Sequence, residues 1–285
     1  MIINRFLSSK NLERMKIDFK FLFEIIEDKD FRGELDLALR DNYFNLYYKG
    51  NSLAKVVFDK NDKYKIMINN KFFKDTSASN DKRFSSGEKD KNVQGNVKNV
   101  EIVLDKKLLH PFFQKKHIKQ FISKIREVNN GEEINLEQFI ITDNLEREDI
   151  IIIDRQIEDK VLKKRMDLLA LYHVKNSKNE YNFCVIEVKL GNNPDLKNKV
   201  ALQLDEYVSH INKNFDDYKG CYEKQYEQKK ELGLIIGPKD KPIIIVRPVK
   251  GLIAVAGYSG IGKGQIAKLL SDHPGLKVKI FRYLL

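Results

Sequence analysis

Cysteine is nearly absent. Cys184 and Cys221 are the only two in 285 residues, which excludes a disulfide framework and a cysteine-based zinc site. Long apolar runs are missing as well. Runs such as Ile150–Ile153 and Ile243–Val246 have strand length and cannot span a bilayer, and the opening Met1-Ile-Ile-Asn-Arg-Phe-Leu is too short for a secretory signal. The expectation is a soluble, cytoplasmic protein with no membrane partner. The five histidines show no HEXXH or HNH-like spacing. His173 follows Asp167 on one strand face, but six residues of strand separate them by roughly 20 Å. Nor is charge of one sign gathered anywhere: of the net +11, residues 1–110 contribute +5 and residues 111–285 contribute +6.

Hydrophobic residues make up 42% and charged residues 33%, which supports a sizeable core and argues against wholesale disorder. The isoelectric point of about 9.3 suits a polyanionic partner, because lysine and arginine displace the counterions of phosphates. Abundant Lys, Asn and Ile are also what an AT-rich genome encodes. Residues 1–110 read as a smaller, mainly antiparallel β domain. A helix is expected over 18–29, followed by strands over 34–40, 43–48, 53–58 and 64–69. The turns Lys49-Gly50-Asn51 and Lys60-Asn61-Asp62 separate them into a meander. Residues 74–99 contain few apolar side chains and read as a long polar loop. Near 113–129, Ile118, Phe121, Ile122, Ile125 and Val128 follow helical spacing. Lys115, Lys116, Lys119, Lys124 and Arg126 occupy its other sides, as a phosphate-tracking face or as a solvated one.

Residues 111–285 form the second expected domain. A helix over 135–144 is followed by strands over 149–157, 165–174 and 181–190 and a helix over 196–213. After a polar, Tyr- and Lys-rich insertion at 214–247 come a strand, a helix and a strand over 251–257, 262–271 and 276–283. Strands alternating with helices in this way indicate an α/β layer with a mixed central sheet.

The stretch from Lys164 to Gly191 carries the chemistry. Two apolar strands flank the polar turn Lys175–Glu180, so Asp167 and Glu187 are expected opposite each other on a β-hairpin. Period-2 alternation puts Glu187 and Lys189 on one face and Ile186 and Val188 on the other. Two facing carboxylates repel, and charges in an apolar strand are costly. A divalent cation relieves both, and hard oxygen ligands select Mg²⁺ or Mn²⁺. Such an ion activates water and neutralises charge growing on a phosphodiester, with Lys189 placed to orient the water or stabilise the transition state. The bland alternative is a surface hairpin with Glu and Lys on a solvated face. Phe183, Cys184, Val185, Ile186 and Val188 around them read instead as a buried central strand.

Asp167 followed by Glu187-Val188-Lys189 resembles the D…(D/E)-X-K signature of the PD-(D/E)XK nuclease superfamily. Gln203-Leu204-Asp205-Glu206-Tyr207 in the next helix resembles the Q-L-x-x-Y element of its RecB-like and NucS-like branches. The approach from Leu136-Glu137 through Asn144, Asp154-Arg155-Gln156-Ile157 and Arg165-Met166 resembles theirs too. The signature's proline is replaced by Met166. The resemblance covers residues 135–285 and implies a restriction-endonuclease-like αβββαβ core and a metal-dependent nuclease, with DNA favoured over RNA. It further implies that Asp167, Glu187 and the Val188 carbonyl ligate the metal and that Lys189 assists the water. Gln203 would position Lys189 or the water, with Arg165 and Tyr207 in support, although an aromatic beside Val200, Leu204 and Val208 also suits core packing. Glu137 matches an acidic residue that holds a second metal or its water, or is an ordinary helix-start glutamate. The rival reading is a catalytically silent nucleic-acid-binding or scaffold protein of the same fold.

Gly257-Tyr-Ser-Gly-Ile-Gly262-Lys263 begins like a P-loop, but Gly264 stands where the Mg²⁺-binding hydroxyl belongs. It reads as a strand-to-helix link. In residues 1–110, Tyr43, Tyr47, Tyr48, Lys49 and Lys55 suggest a substrate-recruiting surface or a homodimer contact, against the alternative of half-buried tyrosines.

Overall fold

The computed structural model describes all residues except 32, 86–88, 94–96, 129–130, 236–241, 258–259 and 282–285. The described residues divide into two compact units: residues 4–131, and residues 132–285 together with 1–3. The fold is mixed α and β, with one sheet in each unit.

The N-terminal unit begins with helices α1 (Ser9–Asp18) and α2 (Lys20–Ile26). The single helix expected over 18–29 is therefore corrected. The Ser8 side chain caps α1 by accepting from Asn11 N, so the helix starts earlier. Phe19 leaves helical geometry at φ −116° and ψ 16° and lies fully buried, edge-on to Phe44 and Tyr64. Strands β1 (Leu35–Leu39), β2 (Tyr43–Tyr48), β3 (Asn51–Phe58) and β4 (Lys63–Asn69) form the expected meander. They are followed by α3 (Asn70–Phe73), α4 (Lys82–Ser85), β5 (Lys89–Val93), β6 (Val97–Asp105), α5 (Lys106–Phe112) and α6 (Lys115–Val128). The sheet order is β1-β2-β3-β4-β6-β5, antiparallel throughout.

The polar loop expected over 74–99 is corrected in its described part. Ala78 and Phe84 are buried anchors, Thr76 Oγ1 donates to the Phe73 carbonyl at 2.7 Å, and β6 pairs along the whole of β4. Residues 86–88 and 94–96 of that stretch lie outside the described residues. The domain boundary moves from 110/111 to 131/132, because α6 packs its buried Ile118, Phe121 and Ile125 against α3 and β3. Its basic face is neutralised locally. Lys115 pairs with Asp28 and Lys119 with Asp30, while Arg126 Nε donates to the Tyr48 hydroxyl at 2.7 Å. Tyr47 and Tyr48 are buried, and Lys55 covers the Tyr43 ring at 4.0 Å, so the expected exposed aromatic row is not formed. Truncation to begin at residue 100 should strip β4 from β6 and lose the N-terminal unit, whereas residues 132–285 should keep a cooperative thermal transition. Circular dichroism melts of the two fragments check this.

The C-terminal unit runs α7 (Glu132–Asp143), β7 (Ile150–Ile157), β8 (Met166–His173), β9 (Glu180–Leu190), α8 (Asp195–Asn198), α9 (Val200–Lys213), α10 (Phe215–Glu231), β10 (Ile244–Ala256), α11 (Gly260–Asp272) and β11 (Val278–Ile280). The sheet order is β11-β10-β9-β8-β7. The pairs β7–β8 and β8–β9 are antiparallel, while β9–β10 and β10–β11 are parallel. Leu168, Ala170, Cys184, Ile186 and Val188 face one side, where Leu136, Ile140 and Ile141 of α7 cover them. The alternate residues face α9 and α10, where Phe183 meets Phe215, Tyr218 and Tyr222.

The insertion expected at 214–247 is corrected. Residues 215–231 form α10, whose Tyr218, Cys221, Tyr222, Gln225 and Tyr226 are buried. Polar by composition, the segment still presents a helical stripe of rings and small side chains to the sheet. No helix among the described residues is long and apolar enough to cross a membrane.

Candidate active site

The hairpin of β8 and β9 builds the site. Leu168 pairs with Ile186, so Asp167 falls across from Glu187, at the start of β8 and near the end of β9. Alternation then puts Glu187 and Lys189 on the α9 side, as period-2 spacing requires. The side chains of Glu187 and Lys189 are 1% and 8% exposed, and that of Asp167 is 20% exposed. Asp167 Oδ2 accepts a hydrogen bond from the Val188 backbone N–H at 2.8 Å, which ties one strand to the other. Lys189 Nζ donates to Glu187 Oε1 at 2.7 Å and to the Val188 carbonyl at 3.1 Å, and lies 3.6 Å from Asp167 Oδ2. Glu187 Oε2 is buried and has no hydrogen-bond partner among the described residues.

Burial pushes the Glu187 carboxyl above the usual carboxylate range; the Asp167 charge adds to this and Lys189 opposes it. Burial alone would lower the Lys189 ammonium, but Asp167 and Glu187 outweigh it and hold the group above its ordinary value. The asymmetry is physical. The ammonium has two anions and a carbonyl around it, whereas the Glu187 carboxylate has one cation and an anionic neighbour. We therefore take Lys189 as charged and Glu187 as the group that desolvation strains.

The site opens into a cleft of about 610 Å³ lined by Lys164, Arg165, Asp167, Glu187, Lys189, Lys199, Leu202, Gln203, Glu206 and Tyr207. Gln203, expected to position Lys189 or the water, makes no hydrogen bond to Lys189. Its Nε2 donates to the Tyr207 hydroxyl at 2.9 Å, and that hydroxyl donates to the Arg165 carbonyl at 3.0 Å. Gln203 and Tyr207 thus clamp α9 to the start of β8, with Tyr207 buried and the Arg165 side chain exposed.

Glu137 is held by Arg155. It is buried, and its Oε2 accepts from Arg155 Nη2 at 3.0 Å, while Arg155 Nη1 donates to Gln138 Oε1 at 2.8 Å. Burial pushes the Glu137 carboxyl up to about 7, with Arg155 opposing and Asp167 reinforcing the rise. Its carboxylate is thus engaged with Arg155 while it feels the charge of Asp167. Among the described residues no group of three or more His, Cys, Asp or Glu side chains could hold a metal ion. Two carboxylates and a backbone carbonyl are what this arrangement offers a cation.

No family model, curated protein or solved structure matches the chain.

Two further neighbours, Glu133 and Gln156, support these residues. Glu133 Oε1 accepts from the Leu190 N–H at 3.3 Å and from Asn193 Nδ2 at 2.7 Å, anchoring the end of the strand that bears Lys189. It stands one helical turn before Glu137, and that spacing was the available signal. Gln156 sits between the pairs Arg155–Leu168 and Ile157–Met166, across from Asp167 on its other flank, with φ 47°. A side-chain residue held there is strained, and its hydrogen bond opposes the rise of the Glu137 carboxyl that burial causes. The glycine-rich stretch after β10 is a packing device where it is described. A Cβ on Gly191 would come within 2.5 Å of the Gly257 carbonyl oxygen, and one on Gly262 within 2.8 Å of the Gly191 carbonyl oxygen. The first turn of α11 therefore rests directly on the end of β9.

Proposed function

We propose that the C-terminal unit is a Mg²⁺- or Mn²⁺-dependent nuclease of the PD-(D/E)XK type, acting on DNA in preference to RNA. The observation that carries this reading is the buried Glu187 carboxylate, one oxygen of which lacks a partner while facing a second carboxylate and a lysine two residues on. A buried carboxyl set against a second carboxylate is costly to ionise, and a hard cation would relieve that cost. The sequence α7-β7-β8-β9-α9-β10, with its antiparallel then parallel pairings, supports an αβββαβ core of the restriction-endonuclease kind.

Asp167 Oδ, Glu187 Oε2 and the Val188 carbonyl would hold the ion, which when bound lowers the pKa of water and neutralises charge on a phosphodiester. The chain's own residues supply the rest. The Val188 N–H fixes the Asp167 carboxylate, Lys189 presents an ammonium to the attacking water or the developing charge, and Arg165 and Lys199 offer the cleft mouth to flanking phosphates. With no group of three or more His, Cys, Asp or Glu side chains fit for a metal among the described residues, one alternative is a silent nucleic-acid-binding protein of the same fold.

Incubation of the full chain with single-stranded, double-stranded and branched DNA and with RNA, with and without Mg²⁺ or Mn²⁺, separates the two. Metal-dependent cleavage is expected; tight binding without cleavage under any metal would leave the silent protein. Mg²⁺ or Mn²⁺ should also raise the Tm through preferential binding to the folded state, and Asp167→Ala should remove that shift. An equal shift in the variant would place the metal elsewhere.

A further inference from the structure

The space between the carboxylates is held by a cation that belongs to the chain. Lys189 Nζ lies 2.7 Å from Glu187 Oε1, 3.1 Å from the Val188 carbonyl oxygen and 3.6 Å from Asp167 Oδ2. These groups are the ones the proposed centre presents to a divalent ion. An ammonium and a divalent cation sharing them would repel each other strongly in a site so screened from water. One of the two has to yield, and the ammonium is on a flexible stem that ends at an open cleft.

The cleft as it stands offers a displaced ammonium little. Its outer carboxylate, Glu206, is already bound by Lys164 at 2.6 Å, and Arg165 and Lys199 add further positive charge. A phosphodiester lying there would supply anionic oxygens that Lys189 lacks otherwise.

Resting on the metal-centre reading above, we propose that Lys189 is the built-in counter-ion of this site, displaced when a divalent cation binds and then stabilised by a phosphodiester in the cleft. Metal and polyanion consequently bind with positive coupling that runs through Lys189. The coupling is reciprocal: substrate raises metal affinity by the factor by which metal raises substrate affinity. At low free metal, the carboxylates stay closed on the lysine until nucleic acid arrives.

The test is calorimetric titration of the full chain with Ca²⁺, with and without a short single-stranded oligodeoxynucleotide. Wild type should gain about tenfold in Ca²⁺ affinity from the oligonucleotide. Lys189→Met should bind Ca²⁺ about tenfold more tightly than wild type without DNA and gain less than about twofold from it. Lys189→Arg, which keeps the charge, should stay within about threefold of wild type. Lys189→Gln drops the charge but keeps a donor for Glu187, and it repeats the test should the methionine variant fail to fold. Neutral variants that bind Ca²⁺ no more tightly than wild type, or that keep the full coupling, overturn the counter-ion role. The failure of the underlying reading looks different: wild type then binds no Ca²⁺, or binds it equally after Asp167→Ala.

Discussion

Lys189→Met should abolish cleavage of nucleic acid at saturating Mg²⁺ while weakening substrate affinity in metal by no more than about tenfold, the part carried by the coupling through Lys189, because groups acting on the water contribute about 100-fold or more to rate. The geometry makes the separation sharp. Lys189 is 8% exposed at the floor of the cleft, so an incoming backbone first meets Arg165, Lys199 and Lys164 at the mouth. Those side chains stay in place in the variant, and they dominate salt-dependent affinity. Removing the ammonium also leaves the buried Glu187 and the partly exposed Asp167 without their cation, and breaking a buried pair costs about 3–5 kcal/mol. The variant should therefore melt lower than wild type without metal and recover much of the loss when Mg²⁺ is added. Single-turnover cleavage at saturating metal, paired with equilibrium binding in Ca²⁺, measures both halves. Cleavage at the wild-type rate would remove Glu187-Val188-Lys189 from the active strand.

The hairpin that places Asp167 opposite Glu187 could be read in the sequence because it rests on short-range regularities. Alternation fixes which strand residues share a face, and a compact polar turn fixes the register. The same holds for the four-strand meander at 35–69 and for the amphipathic α6. What could not be read depends on partners far away in the chain. Arg155 lies 18 residues from Glu137, and nothing in either segment announces that the two would be buried together. Gln203 has the spacing of a site residue, yet its amide goes to Tyr207, one turn away on the same helix. The helix α10 was hidden by composition. Its tyrosines were counted as polar, although each buries a ring and Tyr218 and Tyr222 direct their hydroxyls to the buried Asp159 and Asp154. The boundary between the units falls at 131/132 and not at 110/111 for a similar reason. The stretch at 74–99 is poor in apolar residues, but Ala78 and Phe84 are buried and Val100 continues into a central strand.

The buried Glu137 predicts that the chain, stripped of divalent ions, is more stable near pH 5 than near pH 8. Its carboxyl is pushed up to about 7, against 4.5 for an ordinary glutamate, because burial penalises the charge more than Arg155 relieves it and Asp167 adds repulsion. An acid whose pKa rises on folding contributes stability that is fully present below its unfolded value and lost as pH climbs through its folded value. The window is therefore roughly pH 4.5 to 7, and the loss across it is about 3 kcal/mol at 1.36 kcal/mol per pH unit. Glu187 is shifted in the same direction and steepens the decline. Below pH 4 the sign reverses. Asp159 accepts from His210, Tyr218 and two backbone N–H groups, and despite the burial that opposes it the hydrogen bonds hold its carboxyl below the usual range. Protonating it then costs stability as the pH falls. A maximum near pH 5 follows. Glu137→Gln keeps an acceptor for Arg155 but cannot ionise, so it should flatten the decline between pH 5 and pH 8 and leave the acid limb unchanged. Urea unfolding of wild type and variant at a series of pH values in EDTA measures this, and equal slopes in the two proteins would mean that Glu137 ionises on folding no differently from an exposed glutamate.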